Sequence, residues 1–168
     1  MLCYHGTTYH DFKRILSDGF IHLASKANSP YINSGSLQTE YGYVYLVGNV
    51  IDALEYATMA ASQKSKGGHL SERSLIVICL DLTEHELEED GVDGLCPPTT
   101  YKNGPFYRIK RPIKIREIEK ISAYKFISFQ ESCDVIDRWV NDPSKVDQVK
   151  WCRANSDPID WNTKDSCS

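Results

Sequence analysis

The stretch LCYHGTT (Leu2–Thr8) decides how the rest of this 168-residue chain is interpreted. It favours a β-strand whose short apolar run ends at His5 and is followed by Gly6 and two hydroxyl residues. Because glycine has no Cβ, a flat ligand group can come close to the backbone at Gly6. The hydroxyls of Thr7 and Thr8 can form hydrogen bonds with a ligand. Taken alone, the same residues favour a simpler interpretation, in which Thr8 caps the helix that follows.

The composition is that of one globular domain. Hydrophobic residues make up 41% of the chain and charged residues 25%, and 168 residues are enough to bury a core without disulfides or metals. The net charge of −4 argues against wide, non-specific binding to nucleic acid phosphates. We therefore expect a soluble domain whose partners are recognised locally.

The cysteines and the apolar segments indicate where the protein works. No apolar run approaches the roughly 18 residues of a membrane span, and the amino terminus lacks the layout of a signal peptide. The cysteines are widely spread, without a CxxC pair or a Cys/His metal spacing: Cys3, Cys79, Cys96, Cys133, Cys152 and Cys167. This pattern predicts a reduced, cytoplasmic protein with no membrane association and no bound metal.

Hydrophobic periodicity and turn residues predict several strands and three helices. The first helix covers residues 11–18 and ends at Gly19, and its apolar face contains Phe12, Ile15 and Leu16. Asn49 is expected to cap the second helix. The predicted helices cover residues 11–18, 50–63 and 129–140, and the predicted strands cover residues 2–8, 20–24, 41–47, 75–80, 106–109 and 118–126.

The remaining segments are predicted as loops, an acidic turn and a polar tail. Residues 26–38, 64–73 and 91–104 are rich in polar and turn residues, whereas residues 83–90 form one or two acidic helical turns capped by Thr83. The order of elements predicts an α+β domain over residues 1–144. Residues 145–168 form a polar extension, which either packs on the domain through its tryptophans or is partly disordered. Neither GxGxxG nor GxxxxGK[ST] occurs in the chain.

Three segments, taken in order, resemble the ADP-ribosyltransferase superfamily. The first is the strand segment YHGT at residues 4–7, and the second is the strand segment GYVYL at residues 42–46. The third is the helical segment ALEYA at residues 53–57. Their order and spacing are similar to those of the His-Tyr-Glu branch, which includes the poly(ADP-ribose) polymerases and diphtheria toxin.

This resemblance implies a split β-sheet core and an NAD site. His5 would hold the nicotinamide ribose. The backbone of Gly6 would form hydrogen bonds with the carboxamide, and the neighbouring Thr7 would also bind the cofactor. Tyr45 and Tyr56 would sandwich the nicotinamide ring, for which two aromatic faces are well suited. The implied reaction transfers ADP-ribose from NAD to a macromolecular acceptor, either protein or nucleic acid, and releases nicotinamide. A simpler explanation is that Tyr45 is an ordinary strand residue and that Tyr56 is a core aromatic of an amphipathic helix, as found in many folds.

The chain departs from this family where the branch carries a glutamate. The expected position falls on Gly104 or Pro105, and neither residue has a carboxylate. One alternative is a carboxylate from elsewhere: Glu117 and Glu119, predicted to share one face of a strand, or Asp93. Each of these also has the simpler explanation of an exposed acidic residue.

Two further alternatives remain open at this position. Basic residues can replace the carboxylate, as in the related tRNA 2′-phosphotransferases, and Arg108, Lys110 and Arg111 cluster in the sequence. The last alternative is an inactive NAD-binding, ADP-ribose-binding or inhibitor protein that keeps the pocket without turnover. The sequence therefore predicts catalytic roles for His5 and Tyr45 and leaves the carboxylate open.

Overall fold

A computed structural model describes residues 1–25, 40–63, 73–90 and 105–154. The predicted loops at 26–38, 64–73 and 91–104, including Asp93 and Gly104, lie almost entirely outside the described residues. So do Cys96, Cys167 and the last part of the predicted tail.

The described chain forms an α+β fold, as predicted. Its strands are β1 (Leu2–Thr8), β2 (Phe20–Ile21), β3 (Val44–Val47), β4 (Ser74–Asp81), β5 (Glu88–Glu89), β6 (Phe106–Ile109), β7 (Ile113–Lys114) and β8 (Ile118–Lys125). Its helices are α1 (Tyr9–Asp18), α2 (Val50–Gln63) and α3 (Phe129–Asn141), and 3₁₀ turns cover Glu84–Glu86, Ile115–Glu117 and Pro143–Gln148.

The main sheet is antiparallel, with the strand order β5-β6-β3-β1-β4-β8, and β2 pairs separately with β7. Strand β4, the most hydrophobic run of the chain, is buried from Leu75 to Leu80, as expected for a central strand. Apolar side chains pack on both faces of the sheet. One layer contains Phe12 and Ile15 of α1, and the other contains the apolar faces of α2 and α3.

Helix α1 begins and ends where local signals predict. Thr8 accepts a hydrogen bond from the Asp11 backbone N–H at 3.2 Å, and Gly19 ends the helix with φ of 82°. Phe12 and Ile15 are buried, but the prediction for Leu16 is wrong, because its side chain is exposed. Leu16 follows Ile15 directly, so it turns away from the sheet.

Helix α2 packs very closely on β1. Asn49 accepts a hydrogen bond from the Asp52 backbone N–H at 2.9 Å, which confirms the predicted cap. A Cβ placed on Gly6 would lie 1.7 Å from the carbonyl oxygen of Ala53 and 2.9 Å from the backbone nitrogen of Ala57. The α-carbon of Gly6 is therefore covered by the helix backbone, and a ligand can reach this residue only from the edge of the strand.

Two other predicted elements are shorter or different in the structure. The strand predicted over 41–47 is limited to Val44–Val47, because Gly42 adopts φ of 90° and its N–H donates to the carbonyl of Ala24 at 3.0 Å. The acidic segment forms a single 3₁₀ turn followed by β5, and the Thr83 side chain makes no capping bond there.

Part of the polar tail packs on the domain. Cys152 forms a bridge to Ile121 at the edge of β8, with backbone N–O distances of 2.8 and 2.9 Å. The ring of Trp151 lies 6.2 Å from the ring of Tyr4, and the ammonium of Lys120 lies 4.8 Å from the centre of the Trp151 ring. No described helix is long and apolar enough to cross a membrane.

The contact between α2 and β1 predicts a large effect of a single methyl group. We expect Gly6→Ala to lower the free energy of unfolding by about 3 kcal/mol or more, because backbone atoms of α2 must move to admit the Cβ. Gly19→Ala is the control: no atom lies within 4 Å of its Cβ, so only the left-handed backbone costs energy, about 1–2 kcal/mol. Urea denaturation measures both values. An effect of Gly6→Ala no larger than that of Gly19→Ala would contradict the packing.

Candidate functional site at the opening between two strands

Strands β1 and β3 pair at one position only. All seven residues of β1 pair with β4, whereas the ladder with β3 contains only Tyr4 opposite Val47. Continuing that register would place Gly6 opposite Tyr45, but this pair is not part of the ladder. The two strands therefore diverge beyond Tyr4 and leave an opening in the sheet.

The hydrogen-bond pattern directs the peptide groups of Gly6 into this opening. Met1 and Leu82 exchange two backbone bonds, at 2.7 and 3.0 Å, so alternate residues from Met1 onward bond to β4. Tyr4 and Gly6 have the opposite parity, and their N–H and C=O groups point towards β3. Tyr4 is opposite Val47, whereas Gly6 has no ladder partner there. Its donor and its acceptor face the opening side by side.

His5 bridges the two strands beside this opening. Its Nδ1 lies 3.0 Å from the carbonyl oxygen of Tyr45. A carbonyl can only accept, so Nδ1 donates and Nε2 is the acceptor of the neutral ring. Desolvation lowers the pKa of His5, whereas the bond to Tyr45 and the charge of Asp11 raise it. The ring is therefore neutral at pH 7, and its Nε2 can accept a hydrogen bond from a hydroxyl group.

The predicted tyrosine pair is not in mutual contact. The Tyr45 hydroxyl donates to the carbonyl of Glu40 at 3.0 Å, and its ring lies 6.5 Å from that of Tyr43. Tyr56, on α2, packs edge-on against Phe106 with the ring centres 6.2 Å apart. By strand alternation, the Tyr45 side chain lies on the face of the sheet that α2 covers.

The first of the two hydroxyl residues of the opening motif, Thr7, is poorly placed for a ligand. Thr7 is opposite Ile76 in the ladder with β4, and its side chain is buried. Of the predicted binding residues, the structure therefore brings the His5 ring and the backbones of Gly6 and Tyr45 to the opening. By the same alternation, the His5 side chain lies on the face of the sheet that carries α1, whereas Tyr45 and Tyr56 lie on the face that α2 covers.

The two predicted glutamates lie elsewhere. The prediction that they share one face of a strand is wrong, because Glu117 belongs to the 3₁₀ turn before β8. Its carboxylate accepts from Arg111 at 2.7 and 3.1 Å and from the Lys114 backbone at 2.8 Å, and Arg111 lowers the pKa of Glu117. Glu119 is exposed at an irregularity of β8, two strands away from β1. Neither glutamate lies beside His5.

The three basic residues do not form a basic cluster. Arg111 binds the carboxylates of Glu86 and Glu117, and this connects the 3₁₀ turn at Glu84–Glu86 to the one at Ile115–Glu117. Arg108 is on β6 and pairs with carboxylates of neighbouring elements, and Lys110 lies 5.9 Å from the centre of the Tyr43 ring. These arginines are therefore already neutralised by acidic partners.

Two carboxylates near the opening were not predicted from the sequence. Asp11 forms a reciprocal cap with Thr8, whose hydroxyl donates to Asp11 Oδ2 at 3.0 Å, and its charge acts on His5. Asp90 is largely buried, its pKa is raised by desolvation, and the guanidinium of Arg108 lies 4.0 Å away. The Thr-x-x-Asp spacing was a usable signal for Asp11. The position of Asp90 depends on long-range strand pairing.

No group of three or more His, Cys, Asp or Glu side chains in the described part of the chain can hold a metal. Among the described residues, Cys3, Cys79, Cys133 and Cys152 form no disulfide bond. Burial raises the pKa of Cys3 to about 11, so this thiol is not a nucleophile at neutral pH.

Comparisons with known proteins give little further guidance. No protein-family model matches the chain, and no curated protein does. Among solved structures, protein CC0527 from Caulobacter crescentus aligns at 14% identity with a TM-score of 0.42. The alignment covers 75% of this chain and 88% of that one, and a double mutant of CC0527 gives the same values. A function of this chain is therefore inferred from the geometry of the opening.

Two carboxylates on α2 make folding stability depend on pH. Burial raises the pKa of Asp52 from 3.8 to about 6 and that of Glu55 from 4.5 to about 7. Between about pH 4.5 and 7 the folded state binds more protons at these sites than the unfolded state, so their contribution to stability falls as the pH rises. We expect Glu55→Gln to stabilise the protein relative to wild type more at pH 8 than at pH 5.

Urea denaturation at both pH values checks this prediction. Leu16→Ala, which removes an exposed side chain without an ionisable group, should change stability equally at the two pH values. If the effect of Glu55→Gln is also independent of pH, the carboxylate of Glu55 is not desolvated in the folded state.

Proposed function

We propose that the opening between β1 and β3 binds the nicotinamide end of NAD on an ADP-ribosyltransferase-like split-sheet core. The chain would then transfer ADP-ribose to a macromolecular acceptor and release nicotinamide. The observation that carries this proposal is the pair of Gly6 peptide groups that face the opening without a ladder partner. They lie next to His5, whose Nδ1 is held by Tyr45.

The chemistry of the opening fits a nicotinamide ribose. A primary carboxamide offers one acceptor and two donors, which match the adjacent N–H and C=O of Gly6. The Nε2 atom of the neutral His5 ring accepts a hydrogen bond from a ribose hydroxyl. Tyr45 supplies an aromatic face on the α2 side of the sheet, and the His5 ring lies on the α1 side, so a ligand in the opening can contact both. Packing against α2 fixes the position of the Gly6 backbone before any ligand binds.

Transfer requires that the bond between nicotinamide and ribose breaks. Its electron pair leaves with nicotinamide, a nucleophile of the acceptor forms the new bond, and the ribose passes through a positively charged state. A nearby negative charge stabilises that state. Asp11 is the carboxylate whose charge acts on His5, so it is the candidate for this role.

A second candidate function is NAD or ADP-ribose binding without turnover. The specific observation in its favour is the position of Glu117, whose carboxylate is engaged by Arg111, and of Glu119, two strands from β1. Binding by Gly6 and His5 does not depend on either glutamate.

Calorimetry with NAD tests the binding site. We expect wild-type protein to bind NAD, and His5→Ala and Tyr45→Ala to weaken binding about tenfold or more, since each removes a group that faces the ligand. His22→Ala is the matched control, because His22 is exposed and paired with Asp18. Circular dichroism verifies that each variant is folded. Unchanged affinity in both site variants would place the NAD site elsewhere, and no binding by wild type would reject the proposal.

Turnover separates the two candidate functions. Wild-type protein is incubated with NAD labelled in the adenine, together with protein and RNA acceptors, and both nicotinamide release and label transfer are measured. Release that is lost in Asp11→Asn, while NAD still binds, supports the transferase. Binding without release supports the module without turnover.

A further inference from the structure

We propose that Arg108 is a positioning residue, which holds the Tyr45 ring at the nucleotide site through Glu40. This inference rests on the proposed NAD site, and it assigns a role to an ion pair outside that site. Arg108 lies directly opposite Tyr45 in the ladder between β3 and β6.

Glu40 is bonded at both ends of the residue. Its carboxylate accepts from Arg108 at 3.0 Å, and its backbone carbonyl accepts from the Tyr45 hydroxyl at 3.0 Å. The Tyr45 hydroxyl therefore has a fixed acceptor only while Glu40 is held in place. The carbonyl of Tyr45 also accepts a hydrogen bond from His5 Nδ1. Residue 45 is therefore held at its backbone and at the tip of its side chain.

A second contact links Arg108 to the Tyr45 ring indirectly, through the ring of Tyr43. The guanidinium carbon of Arg108 lies 4.3 Å from the centre of the Tyr43 ring, which is within the range of a cation–π interaction. The Tyr43 ring lies 6.5 Å from that of Tyr45. Arg108 thus restrains Tyr45 through Glu40 and through Tyr43.

The structure contains a matched ion pair that lacks this connection. Arg108 also donates to Glu88 on β5 at 3.0 Å. The side chains of Glu40 and Glu88 are 63% and 49% exposed, so each pair contributes little to stability. Of these two glutamates, Glu40 is the one whose carbonyl accepts a hydrogen bond from Tyr45. A purely structural role of Arg108 therefore predicts equal effects of losing either carboxylate.

NAD affinity distinguishes the two roles. We expect Glu40→Gln and Arg108→Gln to weaken NAD binding about threefold to tenfold, and Glu88→Gln to leave it within about twofold. Tyr45→Phe removes the hydroxyl through which Glu40 acts. Combining Glu40→Gln with Tyr45→Phe should therefore weaken binding no further than Tyr45→Phe alone. Equal losses in Glu40→Gln and Glu88→Gln, or additive losses in the double variant, would overturn the role of Glu40.

A readout without nucleotide separates this inference from the proposed function. In protein labelled with ¹³C-tyrosine, the ring signal of Tyr45 is identified by its absence in Tyr45→Phe. We expect that signal to shift in Glu40→Gln and Arg108→Gln and to stay in place in Glu88→Gln. An unchanged signal in Glu40→Gln overturns the inference. A shifted signal in a protein that does not bind NAD supports the link from Arg108 to Tyr45 and rejects the nucleotide site.

Discussion

The close approach of α2 to β1 at Gly6 is the constraint on which the site depends. The carbonyl of Ala53 occupies the space that any side chain at position 6 would need. Ala53 and Ala57 are small, so the helix backbone itself lies against the strand. Helix α2 thereby covers one face of β1 and fixes the position of the Gly6 peptide relative to the helix. It leaves only the edge of the strand open, which is the side where β3 departs.

The divergence of β3 leaves the peptide of this packed glycine outside the ladder with β3, and this makes it a binding position in the proposed site. In a continuous sheet, the N–H and C=O of Gly6 would be used by Tyr45, and nothing would remain for a ligand. Here the turn at Gly42 shortens β3, and the ladder ends at Tyr4. His5 replaces one missing ladder bond, because its Nδ1 donates to the Tyr45 carbonyl. The opening is thus held at a defined width by a side chain whose other nitrogen remains an acceptor.

Local signals predicted the elements that carry this arrangement. A cap at Thr8, a glycine at position 19 and an asparagine at position 49 place the ends of two helices, because a cap is satisfied within one turn. The continuous apolar run of β4 predicts a buried strand for a similar reason. The role of Gly6 was only half predicted. Its lack of a Cβ serves the packing of α2, and the opening comes from peptide groups that lie outside the ladder with β3, which no residue type reveals.

Long-range pairing accounts for what the sequence did not show. Period-2 alternation placed Glu117 in a strand, but Arg111 and the backbone of residue 114 hold its carboxylate in a 3₁₀ turn. Arg108 was grouped with its basic sequence neighbours, although its partners come from β5 and from residue 40. Such contacts depend on which strands become neighbours, and the sequence around each residue does not contain that information.

Recognition and catalysis place different demands on this fold. In the proposed site, recognition through Gly6 uses backbone groups, and their position is set by the packing of a helix against a strand. Stabilising a positively charged ribose requires one carboxylate at a definite distance, so a single substitution removes it. The absence of a carboxylate at Pro105 thus changes the demands on Asp11 and leaves the binding geometry of Gly6 intact. Under the proposed function, nucleotide binding would therefore survive changes that alter or abolish the chemistry, because its main recognition groups belong to the backbone.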